Sequence, residues 1–140
     1  MNASAAETRP AAPPAAMGGV IAYLTVDGAV AAAEFYARAF GAVEIGRQPV
    51  DAKGRTMHIH LAFNGTSLML SDGFPEHGHP ALPPQGFTMI IPATDIDKQF
   101  DRAVKAGATV LQPVQTMFWG DRYGALRDPF GVTWGMNQPG

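Results

Sequence analysis

The chain has 140 residues, a formal net charge of −2, 46% hydrophobic residues and no cysteine. That length buries one good core and is too short for two ordinary domains, while scattered Lys and Arg leave no basic stripe for nucleic acid. Without cysteine there is no disulfide, thiolate nucleophile or Cys-ligated zinc, a composition compatible with the reducing cytoplasm where we expect the protein to reside.

Residues 1–18 are rich in Ala and Pro, and Pro10, Pro13 and Pro14 interrupt any helix. They hold no apolar run long enough for a signal peptide or a membrane span, so they read as a disordered tail. Met17 offers an alternative start of the folded unit. A single domain is expected over 19–140, with module one at 19–72, a Pro- and Gly-containing linker at 73–86 and module two at 87–137.

In chain order, Val20 to Val26 alternates as a strand, and an Ala-rich helix follows from Ala29 to a glycine cap at Gly41. Val43 to Val50 reads as a strand, Asp51-Ala52-Lys53-Gly54 as a turn and Thr56 to Phe63 as an alternating strand. Asn64-Gly65 is a strong hairpin signal before Ser67 to Ser71. After the linker, Phe87 to Pro92 reads as a strand, and Asp95 stands at the N-cap of a helix ending near Gly107. Thr109 to Gln115, Tyr123 to Arg127 and Val132 to Asn137 complete the strands, with Asp128-Pro129-Phe130-Gly131 as the last turn.

The two halves say the same thing. Gly41 and Gly107, and likewise Gly65 and Gly131, stand the same 66 positions apart. The helical stripe Ala29, Ala33, Tyr36, Phe40 recurs as Ile96, Phe100, Ala103, Gly107 with a slip of one residue. A repeat this long is a supersecondary module used twice, which predicts an α+β fold of two tandem βαβββ modules.

The helix end Glu34-Phe35-Tyr36 with Ala39-Phe40-Gly41, the segment Met57-His58, and the run Phe118-Trp119-Gly120-Asp121-Arg122-Tyr123-Gly124 before Arg127-Asp128-Pro129-Phe130-Gly131 resemble the PhnB-like branch of the vicinal oxygen chelate superfamily. That superfamily holds glyoxalase I, bleomycin-resistance proteins and extradiol dioxygenases. The resemblance implies a curved mixed sheet forming a cup for a small ligand, usually in a homodimer. It also implies a divalent metal held from four cup strands. Those positions fall at Ile21, Met69, Thr88 and Gly135, and a divalent ion wants imidazole or carboxylate donors. We therefore expect no metal at this position and no cofactor.

If Leu24, Leu61, Leu68, Leu70, Trp134 and Met136 pack on the helices, the opposite faces carry Tyr23, Thr25, His58, His60, Ser67, Ser71, Thr88, Thr133 and Asn137. His58 and His60 are candidates for a general base or an unusual metal pair; the bland alternative is a solvated polar strand face. His77 and His79 read as exposed linker residues. Tyr23, Thr25, Met69 and Thr88 are candidate ligand contacts. Phe118 and Trp119 could cover the cup mouth while Arg122 meets an anionic ligand group, or Arg122 and Asp121 could satisfy each other in a rigid loop. Two functions stay open: metal-independent acid/base catalysis of the isomerase or lyase type, or sequestration of a small molecule. No nucleic-acid or membrane partner is expected.

Overall fold

In the computed structural model, residues 16–140 are described; the expected tail over residues 1–15 lies outside them. The elements run β1 (Ala22–Val26), α1 (Ala29–Phe40), β2 (Val43–Arg47), β3 (Ile59–Phe63), β4 (Thr66–Asp72), β5 (Met89–Pro92), α2 (Ile96–Ala106), β6 (Thr109–Thr116), β7 (Arg122–Arg127) and β8 (Thr133–Gln138). They form two four-stranded sheets, ordered β1-β4-β3-β2 and β5-β8-β7-β6. In each, the opening strand lies parallel to the closing one and the rest are antiparallel. A parallel return needs a long crossover, and the module's helix supplies it.

Local chemistry accounts for the element ends. Asn64 (φ 49°) and Gly65 (φ 83°) form the two-residue turn of the β3–β4 hairpin, with Phe63 opposite Thr66. α1 ends on Gly41 in the left-handed region, its N–H returning to the Ala37 carbonyl and that of Ala42 to the Tyr36 carbonyl. The helix starts repay comparison. Asp72, at the end of β4, accepts the Gly28 and Ala29 N–H groups at 2.9 Å each, and Gln138, at the end of β8, accepts the Ile96 N–H at 2.8 Å. Each module thus caps its helix from the end of its own last strand. Asp95 occupies the cap position of α2 but makes no side-chain cap bond. Gln99 reaches back to the Thr94 and Asp95 N–H groups, so those donors are already satisfied.

Two strands are shorter than their sequence pattern. β2 stops at Arg47 after a bulge between Glu44 and Gly46, and β3 starts at Ile59. The linker holds a short 3-10 turn, Pro75–His77, clamped by a bridge between Phe74 and His79.

The expected core residues Leu24, Leu61, Leu68, Leu70, Trp134 and Met136 are all buried. They belong to one core that spans both modules. Phe63 of β3 stacks on Trp134 of β8 with ring centroids 5.2 Å apart, and Trp134 also meets Tyr36 and Phe40 of α1. Asp128 closes the seam: it accepts the Tyr36 hydroxyl (2.5 Å), the Trp134 indole (2.8 Å) and the Phe130 and Val132 N–H groups. On the surface of the seam, Arg102 of α2 donates to the Arg38 and Ala37 carbonyls at the end of α1. The two helix-covered sheet faces therefore look toward one another. Because side chains alternate along a strand, the opposite faces point away from that core.

Candidate functional site

The outward face of module one gathers most of the expected polar residues. β3 sends Ile59 and Leu61 into the core and His60 outward; β4 does the same with Leu68 and Leu70 against Ser67, Met69 and Ser71. Met69 lies opposite both Tyr23 and His60 in the ladders. The Tyr23 hydroxyl sits 3.0 Å from His58 Nδ1 and 3.1 Å from the Met57 carbonyl. His60 Nε2 sits 2.7 Å from Ser67 Oγ. Both imidazoles are thus tied to hydroxyls on one face. Beside them a cavity of about 480 Å³ has Tyr23, Thr25, Met57, Ser71, Phe74 and His77 among its lining residues.

A charged staple fixes the rim of this cavity. Arg55 binds Glu76 through both carboxylate oxygens (3.1 and 2.7 Å), pairs with Asp51 and lies over the Phe74 ring at 4.4 Å. Hydrogen bonds from Arg55 pull the Glu76 carboxyl down from 4.5 to about 2. Asp51 is also lowered, first by the backbone N–H of Arg55. At the base of the same loop, buried Thr56 donates to the Gln48 carbonyl, and its N–H goes to Asp72.

Module two presents a different face. Tyr123 of β7 lies across Gly135 of β8: a methyl group at Gly135 would collide with the Tyr123 hydroxyl and with Ile90. Trp119 approaches Tyr123 at 6.4 Å and meets Phe118 edge-on at 4.9 Å. Phe118 is 96% exposed at the tip of the β6–β7 hairpin. Thr88 is exposed just before β5, and Thr133 opens β8. Tyr123 is the face residue that the site expectation missed. Its parity with Gly135, against Trp134 and Met136 in the core, is the signal that could have found it.

Arg122, expected at the cup mouth, lies on the helix-facing side instead. It shares a strand face with Gly124, whose missing Cβ would meet Phe100 of α2, and its guanidinium pairs with Asp97 of α2 at 2.8 Å. It does not pair with Asp121 either. Asp121 accepts Asn137 Nδ2 (2.9 Å) and the Gly140 N–H (3.2 Å), which lower its carboxyl.

The superfamily's metal positions carry little donor chemistry. Ile21 and Met69 offer neither nitrogen nor oxygen in their side chains, Thr88 offers a single hydroxyl, and Gly135 is roofed by Tyr123. A divalent ion wants several imidazole or carboxylate donors, so these residues do not fit one. Among the described residues no group of three His, Cys, Asp or Glu side chains is placed to hold a metal. None of the described helices is long and apolar enough to cross a membrane.

Known proteins with this architecture are numerous. A protein of Mycobacterium bovis with no assigned function is 42% identical over 123 residues, covering 84% of this chain and 80% of its own. The crystal structure of TnmS3, an antibiotic binding protein from Streptomyces sp. CB03234, superposes with a TM-score of 0.66 at 27% identity, over 89% of this chain and 98% of that one. The structure of a Bacillus cereus PhnB protein, described as a putative 3-demethylubiquinone-9 3-methyltransferase, shares the fold at TM-score 0.65 and 21% identity, over 86% and 99% of the two chains. Residues 18–136 match the Glyoxalase/Bleomycin resistance protein/Dioxygenase superfamily, and the chain belongs to it.

Proposed function

We propose that the protein binds a small organic molecule as a cytoplasmic homodimer, without the superfamily's divalent metal, and that it sits in the PhnB-like branch. The observation that carries this reading is the divergence of the two outward faces. One chain leaves both open, with Tyr23 49% exposed, Met57 58% and Ile90 54%. Setting module one of one copy against module two of a second closes a cup from unlike walls. One wall is polar, with Tyr23, Thr25, His58, His60 and Met69; the other is aromatic and apolar, with Ile90, Tyr123 and Trp119, and Thr88 and Phe118 at its rim. Apolar pockets with a few placed polar groups are what small ligands use, and a twofold assembly is the commonest way to cover such faces.

The likeness to TnmS3, an antibiotic binding protein, supports binding as the primary role, and the run from Phe118 to Gly131 supports the branch. Arg122 is assigned a structural part, through Asp97. The second reading, metal-independent acid/base catalysis by His58 or His60, is favoured by one specific observation: each imidazole is held by a hydroxyl at hydrogen-bond distance.

A thermal-shift screen of aromatic and heteroaromatic compounds on the full chain tests the reading. A ligand at a hundred times its Kd should stabilise by about 2.7 kcal/mol. Turnover of any hit would move the assignment to the enzyme. A screen with no stabilising compound, or a stoichiometric metal lost on changing Thr88, would overturn it.

A further inference from the structure

The hydroxyl of Tyr23 has one proton and two neighbours that could accept it, the Met57 carbonyl at 3.1 Å and His58 Nδ1 at 3.0 Å. If the proton points to the imidazole, only that one of the two hydrogen bonds forms, and the carbonyl has no donor within this group. If it points to the carbonyl, which can only accept, His58 Nδ1 must carry a hydrogen and donate it to the phenol oxygen. Two hydrogen bonds then form instead of one, and the second arrangement wins on that count. In that tautomer the remaining nitrogen, Nε2, holds a lone pair. It has no partner among the described residues, and His58 lies on the outward face, half-buried.

We propose that His58 Nε2 is the proton acceptor for the ligand, and that the site takes a small molecule bearing a weakly acidic hydroxyl, a phenol or an enol. This rests on module one's outward face being a wall of the ligand site. The ligand O–H donates to Nε2. Where transfer is complete, the O–H bond breaks, the proton passes to Nε2, and the ligand oxygen keeps the electron pair as phenolate or enolate. The imidazolium still donates Nδ1–H to Tyr23, now as a charge-assisted bond. No protein hydrogen bond has to rearrange, so the face is set in advance for this step. Tyr23 is a positioning residue here: it fixes which nitrogen is free. An ether, which has no proton to give, meets a lone pair with a lone pair.

Nitrogen NMR of the full chain labelled at histidine reads the tautomer of His58 directly, and 1-naphthol against 1-methoxynaphthalene reads the ligand class. We expect the Nδ1–H tautomer for His58. We also expect naphthol to bind at least tenfold tighter than its ether and to shift the Nε2 resonance. Tyr23→Phe, which keeps the ring, should weaken the tautomer preference and most of the discrimination even if His58→Ala fails to fold. Finding the Nε2–H tautomer overturns the proposal. Equal binding of naphthol and ether, or failure of both while other compounds stabilise the protein, overturns the ligand class and leaves the binding function standing. No binding by any small molecule sinks both.

Discussion

Tyr36 shows how one side chain can join two modules. It is fully buried on α1, and its hydroxyl ends on Asp128, 92 positions away. Burial, reinforced by Asp128, raises its phenol well above the ordinary 10.0. Tyr36→Phe removes a hydrogen bond to a charged group, so it should cost about 1.5–3 kcal/mol in urea unfolding. The pH dependence has a definite sign. A pKa raised on folding contributes stability that is complete below the unfolded value and lost as pH rises beyond it. Wild-type stability should therefore fall as pH climbs above 10.0, and Tyr36→Phe should remove that component. Gly135→Ala is the second residue-scale case. The new methyl would press on Tyr123 and Ile90, costing about 1–3 kcal/mol through overpacking. Tyr36 was legible as a helix-stripe residue and Asp128 as a turn residue. Their contact was not, because nothing local encodes a partner in the other module.

Elements were legible where a local pattern decides them. Asn64-Gly65 announces a turn that needs two positive φ values, and alternation sorts Leu68 and Leu70 from Ser67 and Met69. The β6–β7 hairpin was less so. Its ladder shifts register between Val110 and Gln112 and again between Gln112 and Gln115, and each slip can turn a side chain to the other face. Arg122 was expected in the cup from its place in the aromatic run after Phe118; the unbroken β7–β8 ladder instead sets it on the strand face of Gly124, against α2. The staple from Arg55 to Glu76 belongs to this scale too, since it ties the β2–β3 loop to the linker turn. Glu76 is depressed to about 2 from 4.5, so the tie is complete above 4.5 and fails as pH falls through about 2. Amide shifts of Phe74 and His79 should titrate with that low midpoint, and Arg55→Gln should return Glu76 toward 4.5.

On the scale of the whole molecule, the repeat made the two modules legible, but not how they face. That depends on large side chains such as Phe63 and Trp134 finding each other across the seam. If cups are shared between copies, sedimentation should show a dimer of the 14.8 kDa chain. A mixed dimer of His58→Ala and Trp119→Ala chains should then bind one ligand per dimer, since one cup inherits both changes and the other neither. Cups formed within a chain would leave such a dimer with no intact site.

The seam through Tyr36, Asp128 and Trp134 gives that arrangement a further property. Each chain would lend a wall to both cups, and its two walls are braced against one packed core that shifts as a body rather than bending locally. Filling one cup then orders walls belonging to the other, so the second ligand has less ordering left to accomplish. Titration calorimetry should give positive cooperativity, with a Hill coefficient above 1, and loosening the brace with Tyr36→Phe should bring the two binding events toward independence.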